Sequence, residues 1–148
     1  MIAVEGAKYV VNKEAMAILQ SIEKPISVVG VVGMYRTGKS YLLNRIILNR
    51  EKGFGVSGTV NACTKGIWMW GTPLKGQTEE GRSVNVIVLD SEGLGAVDQE
   101  ADHDTRIFSL VLLLSSFFIY NSVGVIDEQA ISNLSLVINL TNHIKLKQ

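Results

Sequence analysis

The run Gly33-Met34-Tyr35-Arg36-Thr37-Gly38-Lys39-Ser40 fits the pattern Gly-x-x-x-x-Gly-Lys-Ser/Thr without a mismatch. Each fixed position has a chemical reason. The two glycines let the chain curl so that successive backbone N–H groups point inward at phosphate oxygens. A helix opening near Lys39 adds its dipole and its free N–H groups. Lys39 reaches the terminal phosphates of a nucleoside triphosphate in this arrangement, and the Ser40 hydroxyl ligates Mg²⁺. The intervening Met34, Tyr35, Arg36 and Thr37 contribute backbone amides. Arg36 also lies within reach of the bond that would break, where an arginine supplied in cis neutralises charge in the transition state.

Two more signals fit the same chemistry. Asp90 ends the apolar run Val84 to Leu89 (VNVIVL), where an aspartate facing the loop holds Mg²⁺, often through water. Ser91-Glu92-Gly93, followed by Leu94, extends it into Asp-x-x-Gly. That pattern is typical of GTPase switch loops, in which a backbone N–H beside glycine approaches the last phosphate. Thr64, in the polar loop before the next strand, is placed to close over the metal and the phosphate; position alone singles it out.

The elements that must position these residues are legible in outline. Lys8 to Val11 reads as a short strand, and Asn12 as the N-cap of a helix over Glu14 to Ser21. Ile26 to Val32 (ISVVGVV) has the β-branched content of a central parallel strand. A helix from Lys39 to Leu48 follows, then a Gly/Ser/Thr/Asn-rich loop over Asn49 to Thr64, a strand over Gly66 to Trp70 and a polar hairpin connection over Pro73 to Arg82. Ser91 to Asp104 reads as loop, and Ile107 to Tyr120 as a helix running straight into a strand. A last amphipathic helix is expected over Ile126 to Ile144. Strands alternating with helices predict an α/β three-layer sandwich with a mainly parallel central sheet.

Composition sets bounds. The 148 residues carry Lys+Arg 14 against Asp+Glu 14, and 47% are hydrophobic. That suits one domain with a real core and no global field for nucleic acid or an anionic membrane. The Lys/Arg residues form no stripe, so nucleic acid is not an expected partner. Cys63 is the single cysteine, and no basic stretch followed by an apolar one opens the chain, so it reads as cytosolic. The uncharged stretch from Ile107 to Tyr120 is about 14 residues long, short of the roughly 20 a spanning helix needs. His103, between Asp102 and Asp104, reads as a solvated loop residue, and Trp68 and Trp70 as same-side core residues of one strand.

Three segments, Gly33 to Asn44 (GMYRTGKSYLLN), Thr59 to Trp70 (TVNACTKGIWMW) and Asp90 to Gly95 (DSEGLG), resemble the large GTPase domain of the guanylate-binding proteins, a dynamin-related group. Leu114-Ser115-Ser116 and Tyr120-Asn121-Ser122 continue the similarity. The resemblance implies GTP as substrate with Mg²⁺, and pairing of two such domains across the nucleotide. It makes Arg36 an intramolecular arginine finger, gives Thr64 the switch magnesium role and places Glu92 in the hydrogen-bond chain around the attacking water. Val56, Ser57 and Gly58 match a loop that closes over the phosphates. Two departures stand out: Ala62 replaces a serine that orients water in many members, and no guanine-reading Arg-Asp or Asn-Lys-x-Asp motif occurs before Gln148. The chain therefore reads as a partial GTPase domain, with its C-terminal side missing. A GTP hydrolase leads; a nucleotide-binding switch with little catalysis, an ATP-using relative and a fragment without a stable fold remain alternatives.

Overall fold

The computed structural model describes all residues except 6, 7, 24, 57–64, 96–100, 127, 129, 133 and 136–148, and the backbone alone of 4, 5, 8 and 101. Its centre is a seven-stranded sheet in the order β2-β1-β4-β6-β3-β7, with β5 also paired to β6. The strands are β1 (Ile2–Glu5), β2 (Lys8–Val11), β3 (Ile26–Gly33), β4 (Ile67–Met69), β5 (Leu74–Gln77), β6 (Ser83–Ser91) and β7 (Phe117–Asn121). β3 runs parallel to both β6 and β7. The flank is antiparallel: β1 pairs β2 and β4, while β4 and β5 share one edge of β6. The α/β fold and its parallel centre thus agree with the sequence reading.

Side chains alternate across a strand, and the two faces of β3 and β6 fill two separate cores. Val32, Ile87 and Leu89 pack with Ile107, Phe108 and Val111 of helix α3 (Ala101–Leu114). Leu19, from helix α1 (Lys13–Gln20), borders that core. Val31 and Val88 point the other way, to Leu43, Leu48 and Phe54. Helices therefore cover both faces, which makes the three layers. Asn12 caps α1 as expected, its side chain accepting from the Ala15 amide at 2.9 Å.

Several expectations need correction. β1 was not foreseen; its short run is stabilised by pairing with β2 and, through Ile2 opposite Ile67, with β4. Within Pro73 to Arg82 the chain forms β5, because Leu74 to Gln77 finds ladder partners on β6; only the tip is turn. β6 runs through Asp90 to Ser91. Residues 101–104, read as loop, belong to α3, so His103 is helical and only 19% exposed at its side chain. Trp68 and Trp70 do share a side, but Trp70 alone reaches the core, edge-on to Phe54, while Trp68 is 51% exposed. Of the last expected helix, Ile126 is not helical, the described residues between 128 and 135 are, and the rest lies outside the described residues.

The helix after the phosphate-type loop is not one regular helix. Helix α2 (Lys39–Leu42) passes into a π-helical turn (Leu43–Ile47), closed by the Leu48 amide donating to Leu43 O at 2.8 Å. Such bulges shift side chains round the helix. Here Asn44 is buried and grips both backbone groups of Phe54: Nδ2 donates to Phe54 O at 2.9 Å, and Phe54 N donates to Oδ1 at 2.8 Å. That clamp anchors the start of the loop carrying Val56. Asn44→Ala leaves two buried backbone groups unpaired, a loss of about 2 kcal/mol. It should lower the midpoint of thermal unfolding by roughly 4–8 °C; an unchanged midpoint would rule the clamp out as a stabilising contact.

Candidate functional site

The loop Gly33 to Gly38 leaves the C-terminal end of β3 and enters α2, at the carboxyl edge of the three parallel strands. Open α/β sheets bind ligands at that edge. Gly33 is held so close to β7 that a Cβ would lie 1.9 Å from Asn121 O. Gly38 takes a left-handed φ of 83° with open space around it, so its requirement is conformational. Arg36 also has a positive φ, 60°, which costs a side-chain-bearing residue on the order of 1 kcal/mol. Arg36 is exposed.

Lys39 opens α2 and is buried, with Nζ donating to Met34 O at 3.0 Å across the loop. Burial lowers its pKa from the ordinary 10.5, and the nearby Asp90 carboxylate opposes that shift. Ser40, next along, donates its hydroxyl to Asp90 Oδ2 at 2.6 Å. Asp90 is fully buried on β6. Lys39, Ser40 and Asp90, predicted separately from sequence, therefore meet at one place. A hydroxyl and a carboxylate brought together are hard oxygen donors of the kind Mg²⁺ takes when substrate phosphates and water complete its shell. These residues fit that ion.

The segment after β6 lies along the same loop. Leu94 N donates to Gly33 O at 3.1 Å, and Tyr35 N donates to Leu94 O at 2.8 Å, so Met34 and Leu94 form a parallel bridge. Ser91 is buried and spent on structure, its hydroxyl donating to Val31 O at 2.8 Å. Gly95 N donates to Asp104 Oδ2 at 2.6 Å. Glu92 is 3% exposed, and its carboxylate is bonded to His103 Nε2 on α3. Val56 is exposed. Ser57, Gly58, Ala62 and Thr64 lie outside the described residues.

Two contributors to this site were not foreseen from sequence. Asn121, at the end of β7, donates Nδ2 to Thr37 O at 2.8 Å and to Thr37 Oγ1 at 3.1 Å. Thr37 Oγ1 in turn donates to Met34 O at 2.9 Å, so β7 braces the loop from outside its motif. The available signal was the polar residue closing an otherwise apolar strand. His103 is the other, and nothing in its local sequence distinguishes it from a solvated residue.

Comparison with known proteins identifies the family of the sequence. The family model described as "Guanylate-binding protein, N-terminal domain" matches residues 6–148. Guanylate-binding protein 2 of Homo sapiens is 46% identical over 137 residues, covering 92% of this chain and 22% of that protein. Guanylate-binding protein 1 of Chlorocebus aethiops is 45% identical over 143 residues, 96% and 23% respectively. Guanylate-binding protein 5 of Mus musculus is 45% identical over 139 residues, 93% and 23%. The chain thus spans under a quarter of the length of the curated relatives it matches. With the family model covering nearly all of it, the chain belongs to the guanylate-binding protein family.

Proposed function

We propose that this chain binds a guanosine triphosphate through its phosphates and Mg²⁺, and supplies the phosphate-and-metal part of a GTP hydrolase. The observation that carries the reading is the meeting of Lys39, Ser40 and Asp90, with the Ser40 hydroxyl 2.6 Å from the Asp90 carboxylate. In a triphosphate complex Lys39 exchanges its bond to Met34 O for phosphate oxygens, and the amides of Gly33 to Ser40 surround them. Ser40 and Asp90 hold the metal, Asp90 through water, with Thr64 as its switch ligand. Bound there, Mg²⁺ neutralises charge on the outer phosphates. The choice of guanine rests on the family and on its members' name.

For hydrolysis, Arg36 is the group that neutralises charge at the breaking bond, swinging inward from its exposed position when a second such domain covers the nucleotide. Glu92 serves the hydrogen bonds around the attacking water, with Val56, Ser57 and Gly58 closing over the phosphates. A second reading, a nucleotide-binding switch with little catalysis, draws support from the exposed Arg36 and from the Glu92 bond to His103. Among the described residues no helix is long and apolar enough to cross a membrane.

Fluorescent-GTP binding in magnesium, competed with ATP, tests the site. Lys39→Ala should weaken binding by a hundredfold or more, about 2.7 kcal/mol; unaltered binding would sink the phosphate-site reading. Arg36→Ala should leave the Kd within about threefold and lower turnover by roughly 10³. Negligible phosphate release over hours by a chain that binds tightly would select the switch reading instead.

The lowered pKa of Lys39 gives a pH dependence with a definite sign. A phosphate anion favours the charged amine, so binding is strongest where Lys39 is already protonated in the free chain. Affinity should fall as pH rises through the lowered value, before the ordinary 10.5. Kd values measured at rising pH below 10.5 should climb for the natural chain and stay flatter for Lys39→Arg. Parallel profiles would exclude Lys39 as the titrating group.

A further inference from the structure

The ring of His103 lies between two partners from different parts of the chain. Nε2 meets the Glu92 carboxylate, just after β6, and Nδ1 is 2.9 Å from Tyr9 Oη on β2. The Tyr9 and His103 rings are nearly parallel, 11° apart with centroids at 5.8 Å. With Nε2–H given to the carboxylate, Nδ1 is left as an acceptor for the phenol, so both ring nitrogens are satisfied in the neutral form. Burial, opposed by Arg106 and helped by Glu92 and Asp104, holds the Tyr9 phenol above its ordinary pKa, which keeps its O–H available to Nδ1.

Glu92 begins the segment that touches the phosphate-type loop. Its own amide donates to Gly66 O at 3.0 Å; two residues on, Leu94 exchanges backbone bonds with Gly33 and Tyr35. One turn of α3 therefore holds this segment twice: His103 takes the Glu92 carboxylate, and Asp104 takes the Gly95 amide. Taking this donor away would weaken the hold on a buried carboxylate where it lies, and with it the hold of α3 on the segment.

We propose that His103, seated between Tyr9 and Glu92, is a positioning residue that sets the segment Glu92 to Gly95 against the phosphate-type loop, and with it the preference for a triphosphate over a diphosphate. The placement of the segment stands on its own contacts; the nucleotide preference rests on the proposed phosphate site. Amides at Glu92, Leu94 and Gly95 report the segment directly, since each donates to an identified acceptor.

Residue-resolved amide exchange on the full chain tests the placement. His103→Leu should speed exchange at those three amides about tenfold or more while the β3 amides stay slow. His103→Gln, whose amide can still donate to Glu92, should bring them back to within about threefold of the natural chain. Tyr9→Phe should move the same amides in the same direction, by less. Unchanged exchange in His103→Leu, an equal rise in β3, or no rescue by Gln would each overturn the placement. In parallel, the ratio of affinities for a non-hydrolysable GTP analogue and for GDP should fall about fivefold in His103→Leu and recover in His103→Gln; an unchanged ratio would overturn the coupling to phosphate. If Lys39→Ala does not alter nucleotide binding, the phosphate-site reading falls separately, and amide exchange still decides the role of His103.

Discussion

Asp90 is the partner of Val31 in the parallel pairing of β3 and β6, and its carboxylate accepts the Ser40 hydroxyl at 2.6 Å. This pairing is the constraint on which the site depends. It ends β3 and β6 side by side, so the loop leaving one strand and the segment leaving the other must run together. A slip of one residue would send Asp90 to the opposite face of the sheet. In the observed register it faces the side of α2, beside a buried lysine. Burying either charge alone would be costly, and their proximity offsets part of that cost. The lowered pKa of Lys39 shows that burial still outweighs the attraction. A site that keeps a charged amine short of partners is suited to receiving an anion.

Around that centre, three buried or partly buried polar side chains each hold one loop from outside the motif. Asn121 braces the phosphate-type loop through Thr37, Asn44 anchors the loop entering Val56 through both backbone groups of Phe54, and His103 takes Glu92. Each bond spans the junction between an element end and a loop. Asn121 and Asn44 supply partners to backbone groups that lack ladder bonds, and the His103 ring nitrogen supplies one to a buried carboxylate. The loops proposed to bind and release nucleotide are thus tied to rigid elements by a few side-chain bonds, an arrangement that can be released locally while the sheet stays intact.

The family relationship and the geometry support each other at different levels. The chain matches under a quarter of the length of its curated relatives, yet that part includes β3, its loop and the end of β6. Those are the elements that the proposed phosphate and metal chemistry requires. Hydrolysis asks more of the chain: Arg36 is exposed and Glu92 is bonded to His103. Both residues would have to move for the proposed reaction.

The amino-acid sequence by itself determined the loop motif, the apolar strands β3, β6 and β7, the Asn12 cap and the α/β class. These are local matters of residue type, periodicity and spacing, and Lys39, Ser40 and Asp90 were legible because their chemistry demands a fixed order along the chain. Only the tertiary structure decided which short segments become strands: Ile2–Glu5 and Leu74–Gln77 are too brief to declare themselves and gain their ladders from β2, β4 and β6. It also decided the π-helical turn that brings Asn44 to Phe54, and the fate of His103. Flanked by two aspartates, that histidine has every local mark of a solvated residue. It is bonded to Tyr9 because folding brings a strand from 94 positions away to the same place, and no local pattern can encode a contact made by distant chain.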